Sequence, residues 1–322
     1  TITVCPILGH TLFPCKGLFM SNIIFGPITS RRFGQSLGID LSPNSKQCNF
    51  DCLYCELKGA KTVNSASNTP SVQEVLNALN EALHKHHNLD VITLTANGEP
   101  TLYPELDRLV DEILKIKKET KLLILSNGST IADPLIQNTL SKLDIVKLSL
   151  DCVSLKCFKK LDRAHKGIEI SQIVEGMKSF REHYVGELVI EILVVESLND
   201  TEEEFKALNA ALHDIKPDRI DVGTIDRPPA YEVKGVSIER LVELSSLLEN
   251  LPVSIAYKKN YIPQKRYFSE EEIYELLVRR PQSFEDIALC FDEKSLENLT
   301  HLVEAKRLYV KNIAGVNFYK VV

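Results

Sequence analysis

The segment Cys48-Asn49-Phe50-Asp51-Cys52-Leu53-Tyr54-Cys55 places three cysteines within eight residues, at a C-x3-C-x2-C spacing. Thiolates grouped so tightly are metal ligands or a cluster of buried thiols. Zinc sites usually pair C-x2–4-C with a second pair a short way further along, and no second pair follows within about 90 residues here. A [4Fe–4S] cluster takes four thiolates. Three would leave one iron open to a ligand, as a catalytic cluster requires.

Ser36 to Asp40 alternates apolar residues and reads as a strand that delivers the chain into the cysteine loop. Upstream, Ile24 to Gly34 reads as a dense loop, expected to help cover the cysteines. Downstream, Ser71-x-x-Glu74 forms a capping box, and Val72, Val75, Leu76, Leu79 and Leu83 fall at helical spacing. The helix ends in His84-Lys85-His86-His87, which suits a solvated helix end facing the dipole better than a ligand set. Strand and helix then alternate. Strands are expected over 91–95, 121–125, 145–150, 188–195 and 219–224, with a short one over 253–257. Helices are expected over about 104–118, 133–143, 171–183, 238–248 and from the capping box Thr201-x-x-Glu204.

Such alternation means parallel βα units. The fold class is therefore α/β, and ligands gather where loops leave the carboxyl ends of the strands. Asn97-Gly98-Glu99-Pro100, Ser126-Asn127-Gly128-Ser129, Asp151 and Asp226-Arg227-Pro228-Pro229 all stand at such ends. They should share one face with the cysteine loop.

The pattern changes after about Tyr261. Ser269-x-x-Glu272 caps a helix, two more follow over 283–289 and 294–306, and strands over 308–311 and 316–321 flank Ala314-Gly315. Three helices and a hairpin describe a winged-helix-like module. The expected division is an extension over 1–21, a core over 22–260 and the winged-helix-like domain over 261–322.

Composition sets outer limits. Of 322 residues, 44% are apolar and 25% charged, ordinary for a globular chain, and the net charge of −6 gives no global pull toward nucleic acid or membrane. No apolar run approaches the roughly 18 residues that cross a bilayer. Eight cysteines in a chain this long fit a reducing cytoplasm better than a secreted disulfide scaffold. Residues 1–19 lack the basic and unbroken apolar regions of a signal peptide, and Met20 is the expected effective start. Cys5 and Cys15 match no ligand spacing. Cys152 and Cys157, five apart, would not share one helix face and read as ordinary buried cysteines; Cys290 reads as core.

Cys48-x3-Cys52-x2-Cys55, with Tyr54 before the last cysteine, resembles the signature of the radical S-adenosylmethionine (SAM) enzymes. The resemblance spans roughly 22–257 and implies a partial (β/α)6 TIM-like barrel. It implies a [4Fe–4S] cluster on Cys48, Cys52 and Cys55, whose open iron chelates SAM. It also implies reductive cleavage of SAM to a 5′-deoxyadenosyl radical and supply of electrons by a flavodoxin or ferredoxin. Asn97-Gly98-Glu99-Pro100 resembles the family's Gly-Gly-Glu motif with Asn for the first Gly, which places Gly98 and Glu99 at the SAM amino group. By the same resemblance Tyr54, Ser126, Asn127, Ser149 and Asp151 are cofactor-binding candidates, and Leu193 to Glu196 would flank adenine.

The stretch Ile24 to Gly34 with Leu37-Gly38-Ile39-Asp40 is similar to the branch of wyosine-forming tRNA enzymes and their bacterial relatives. Arg31, Arg32 and Arg227 are candidates for gripping a substrate carboxylate or phosphate bidentately. The implied substrate is an RNA, with a peptide or protein as the rival enzyme reading. An iron–sulfur regulator that meets nucleic acid through the wing is the non-enzyme alternative. From Tyr267 to Val322, seven Lys/Arg stand against ten Asp/Glu, a balance of −3 that does not favour a dedicated DNA reader.

Overall fold

The computed structural model describes residues 23–30, 32–255, 265–279, 281–313 and 316–322. Cys5, Cys15, Met20 and Arg31 lie outside the described residues. The main sheet contains β1 Ile24–Ser30, β2 Gly34–Asp40, β3 Val91–Thr95, β4 Lys121–Ser126, β5 Ile145–Ser149, β6 Glu187–Val194, β7 Arg219–Thr224 and β8 Val253–Ile255. They lie side by side in chain order. β1 runs antiparallel to β2, and every later neighbour pair is parallel. The connecting helices are α1 Val72–Lys85, α2 Leu106–Ile116, α3 Pro134–Leu140, α4 Leu155–Leu161, α5 Ile170–His183, α6 Glu202–Ile215 and α7 Ile238–Ser245. This is the open, sequentially wound sheet of a partial barrel.

Strand periodicity separates the two faces. Ile92, Leu94, Leu122, Ile124, Val146, Leu148, Ile190 and Val222 are buried against helix residues such as Val75, Leu79, Leu109 and Ile113. The alternate positions Val91, Leu123, Ile145 and Val189 form a second, smaller cluster with Phe33. That inner layer lies toward the amino ends of the strands and closes the barrel there.

The segment expected as a covering loop is a β-hairpin instead. Ile24–Ser30 pairs with Gly34–Asp40 through a bulge between Phe25 and Ile28. Only its first residues lie beside Asp40, whose amide donates to the Ile23 carbonyl. Its turn lies at the opposite end of β2 from the cysteine loop. There Phe33 meets the cations of Lys147 and Arg219, at 5.9 and 5.1 Å from its ring centre. Arg32 pairs with the fully buried Asp221, which Lys147 and Arg219 also contact, at 3.2 and 3.1 Å. The hairpin thus plugs the barrel floor and does not shield the cysteines.

Beyond the main sheet come α8 Glu270–Arg279, β9 Gln282–Ser283, α9 Phe284–Cys290, α10 Glu293–Glu304, β10 Leu308–Ile313 and β11 Val316–Val321. The small sheet has the order β10-β11-β9. The element order is helix–strand–helix–helix–hairpin, with the two-residue β9 added to the expected elements. Phe268, Ile273, Leu277, Phe291, Leu299 and Leu302 give it its own core, against which Ile28 of β1 packs. No helix among the described residues is long and apolar enough to cross a membrane.

Candidate active site

The cysteine loop leaves the carboxyl end of β2 and is clamped on three sides. Asp40 is buried, and its Oδ1 accepts from the amides of Ser42 (3.0 Å) and Asn97 (2.8 Å), which joins the start of the loop to the loop after β3. Gln47 then docks on that loop: its amide donates to the Asn97 carbonyl (2.8 Å) and its carbonyl accepts from the Glu99 amide (2.9 Å). On a second side, Asp51 and Leu53 donate to the carbonyls of Asp162 and Leu161, and His165 donates to that of Asn49. On the third, Ala230 from the loop after β7 donates to the Cys55 carbonyl (2.8 Å).

Gly98 has a φ of +143°, and a Cβ there would collide with the backbone of Gln47. Only glycine combines that dihedral with so close an approach. The partner it admits is the cysteine loop itself.

Cys48, Cys52 and Cys55 are free and partly buried. Burial pushes the Cys48 thiol up to about 12 from 9.0, and burial likewise raises Cys52 and Cys55. A bare thiolate is disfavoured in such a setting unless a cation compensates it. Donors already point at sulfur. The Phe50 amide lies 3.4 Å and Asn127 Nδ2 3.7 Å from Cys48 Sγ, and Lys46 Nζ is 3.5 Å from Cys55 Sγ. N–H groups directed at ligating sulfurs are the usual setting of an iron–sulfur cluster.

Among the described residues, the three-ligand group whose atoms all lie within 4.8 Å of one another is Cys152, Cys157 and Glu204, not the cysteine triad. A single tetrahedral zinc would draw its sulfurs closer than that. The triad therefore fits a cluster better than one ion. Cys152 and Cys157 are bridged by a disulfide. Cys152 precedes α4 and Cys157 lies within it, so one-face helical spacing does not govern them. The Glu204 carboxylate beside them accepts from the Val153 and Ser154 amides and the Ser154 hydroxyl.

Glu99 lies under the next wall, buried and 3% exposed. Its Oε1 accepts from Thr101 N (3.0 Å), Thr101 Oγ1 (2.6 Å) and Ser126 Oγ (2.7 Å), and its Oε2 from Asn127 N (2.7 Å). It ties the loop after β3 to the loop after β4, with acceptor capacity left at Oε2. Asn127 Nδ2 also donates to Asn49 Oδ1 (2.9 Å), reaching back to the cysteine loop. Tyr54 OH donates to Asp151 Oδ2 (2.5 Å), while Asp151 Oδ1 accepts from Leu193 N (2.7 Å). Burial pushes Asp151 up to about 7. Tyr54, Asn127, Ser149 and Asp151 line one small cavity with Phe158 and Ile170. Of the residues expected to flank adenine, Leu193 thus reaches this site through its amide.

Sequence reasoning missed several members. Asp162 lies beside Cys52, and burial raises its carboxyl well above the usual range. Asp51 accepts from Tyr231 OH (2.7 Å) and pairs with Arg163 (2.9 Å), whose guanidinium stacks on the Tyr231 ring at 4.8 Å. The arginines expected to grip substrate are placed elsewhere. Arg32 is committed to Asp221 at the barrel floor. Arg227 Nη1 donates to the Pro281 carbonyl (2.7 Å), so it joins the loop after β7 to the C-terminal module.

An open sheet of sequential parallel strands, with a three-cysteine loop at the carboxyl end of the first of them, defines a class. The chain belongs to the radical SAM superfamily, whose family model matches residues 45–208. More narrowly, it is 40% identical over 300 residues to a UPF0026 protein of Helicobacter pylori, covering 92% of this chain and 97% of that one. A probable GTP 3′,8-cyclase of Saccharolobus islandicus is 27% identical over 176 residues, 54% of this chain and 53% of its own. Among solved structures, Streptococcus suis SuiB bound to S-adenosylmethionine superposes with a TM-score of 0.52 at 20% identity, covering 70% of this chain and 52% of SuiB. The chain is a radical SAM enzyme, and its cofactors are a [4Fe–4S] cluster and SAM.

Proposed function

We propose that this enzyme, with the cluster held by Cys48, Cys52 and Cys55, cleaves SAM reductively to methionine and a 5′-deoxyadenosyl radical that takes hydrogen from a nucleotide of an RNA substrate. The observation that carries the radical reading is the triad itself: three free thiols, costly to ionise without metal, at the carboxyl edge of a parallel sheet. The cofactor supplies the radical; the chain supplies binding, orientation and shielding. Glu99 sets the spacing of the two loops that flank the triad, and its Oε2 would accept from the SAM amino group. Asn127 holds the Cys48 side of the loop. Tyr54, Ser149 and Asp151 line the small cavity beside the triad, with the Tyr54–Asp151 hydrogen bond fixing that wall, and would help hold SAM there. Arg163 and Tyr231 cover the loop from outside, anchored on its Asp51.

The RNA assignment is supported by the likeness of the Ile24 to Asp40 stretch to the branch of wyosine-forming tRNA enzymes and their bacterial relatives. In this reading residues 22–260 carry the chemistry and 261–322 form an accessory winged-helix-like domain. The enzyme works in the reducing cytoplasm with a flavodoxin or ferredoxin as electron donor. Comparing the nucleosides of tRNA from a deletion strain and its parent by mass spectrometry tests the substrate. A modified nucleoside missing from the deletion strain is the expected result, and identical profiles would count against RNA.

A further inference from the structure

The turn between α4 and α5 frames a cleft of about 570 Å³ beside the cysteine loop. That lies within the 300–1,000 Å³ of small-ligand sites. Its floor includes Phe158 and Ile170, and the same two side chains line the cavity of Tyr54, Asn127, Ser149 and Asp151. The cleft and the reaction pocket therefore share a wall. The rim carries Lys159, Arg163, His165 and Lys166, with Glu169 as the carboxylate opposing them.

Lys159, Arg163 and Lys166 against Glu169 and the Asp51 that pairs with Arg163 leave +1 on this rim, on a chain whose net charge is −6. Local charge opposite to the global charge marks a site for a ligand of the global sign. Arg163 is held in place by Asp51 and Tyr231. Lys159 and Lys166 are exposed, and no ion pair within the protein engages them among the described residues. The His165 amide is bound to the Asn49 carbonyl, so the rim is fixed directly to the cysteine loop (2.7 Å).

We propose that this cleft is the phosphate site of the substrate. It takes the phosphate of a nucleotide, free or within an RNA strand, and directs the attached sugar or base across Phe158 and Ile170 toward the reaction pocket. The inference rests on the radical SAM reading of the neighbouring pocket. It replaces Arg32 and Arg227 as the substrate-gripping cations with Lys159 and Lys166, while Arg163 stays paired with Asp51. Phosphate recognition by cations at the rim leaves the apolar floor for the part of the substrate that reacts.

The test is fluorescence anisotropy on the cluster-loaded enzyme with two probes, a labelled RNA stem-loop and a labelled guanosine triphosphate. Each is titrated over a range of salt. The double variant K159A/K166A should weaken binding about tenfold and make the logarithmic salt dependence shallower by about two. The pair K85A/K115A, on α1 and α2, removes the same charge and should change neither. Binding of the stem-loop alone assigns the phosphate to RNA; binding of the triphosphate assigns it to a free nucleotide. Absence of binding by either probe, or equal weakening by both double variants, overturns the proposal. Cluster absorbance confirms that each variant is folded. SAM cleavage by the wild type is measured in parallel: cleavage without probe binding sinks the phosphate site alone, and probe binding without cleavage sinks the radical reading alone.

Discussion

Gly98 shows how one residue sets the geometry of the site. Its positive φ and its contact with the Gln47 backbone leave no room for a side chain. Gly98→Ala should destabilise the protein by about 1–3 kcal/mol and lower iron retention together, because the strain falls on the loop that carries Cys48. Urea unfolding and iron content of the purified protein check this; unchanged iron at reduced stability would separate Gly98 from the cluster. The need for glycine at 98 was readable from its neighbours, but the chain that approaches it was not. The same holds for Glu99, whose donors Ser126 and Asn127 lie 27 and 28 residues further on. The cysteines were legible because their ligand spacing is local. Tyr231 and Asp51 meet across 180 residues, and no periodic signal in either segment announces the contact. Arg32 was misplaced for a related reason: a guanidinium in a polar turn looks the same in sequence whether it faces substrate or a buried carboxylate.

At the scale of elements, caps and hairpins carry the testable content. Ser71 accepts from the Glu74 amide, and Glu74 Oε2 accepts from the Ser71 amide at 2.8 Å, so α1 opens on a complete capping box. Ser71→Ala should cost about 1 kcal/mol. Hydrogen bonds from Ser71 hold the Glu74 carboxyl below its ordinary 4.5. A folded value below the unfolded one stabilises the fold above pH 4.5, and the gain is lost as pH falls through the folded value. The difference in unfolding midpoint between wild type and Glu74→Gln should therefore shrink in that acid range; a constant difference would exclude the capping carboxylate as its source. In the hairpin, Arg32→Ala removes one cation from the fully buried Asp221. It should lower stability by about 1–3 kcal/mol, moderated by Lys147 and Arg219, and leave SAM cleavage unchanged. Loss of cleavage at unchanged stability would restore Arg32 to the substrate site. Helices with clear caps were legible to within a few residues. β1 was not, because Gly26 and Pro27 interrupt its alternation and a bulge absorbs them. β9 spans two residues, too few to show any period.

Across the whole molecule, the alternation of strands and helices specifies a parallel sheet. Parallel neighbours in chain order then follow from short right-handed crossovers. How the C-terminal module meets the barrel was not legible, since it depends on single contacts between distant segments. One of these is the hydrogen bond from Arg227 to the Pro281 carbonyl. Arg227→Ala should speed amide hydrogen exchange over residues 282–290 while β2 to β7 keep their protection; unchanged exchange there would show that Arg227 does not hold the module. The central claim is that the triad and the walls around it make a radical-generating centre. Anaerobic reconstitution with iron and sulfide, followed by addition of SAM and a strong reductant, tests it most directly by chromatography of the products. The prediction is equal formation of methionine and 5′-deoxyadenosine, abolished in Cys52→Ala. An iron-loaded, SAM-binding protein that forms neither product under reduction would contradict it.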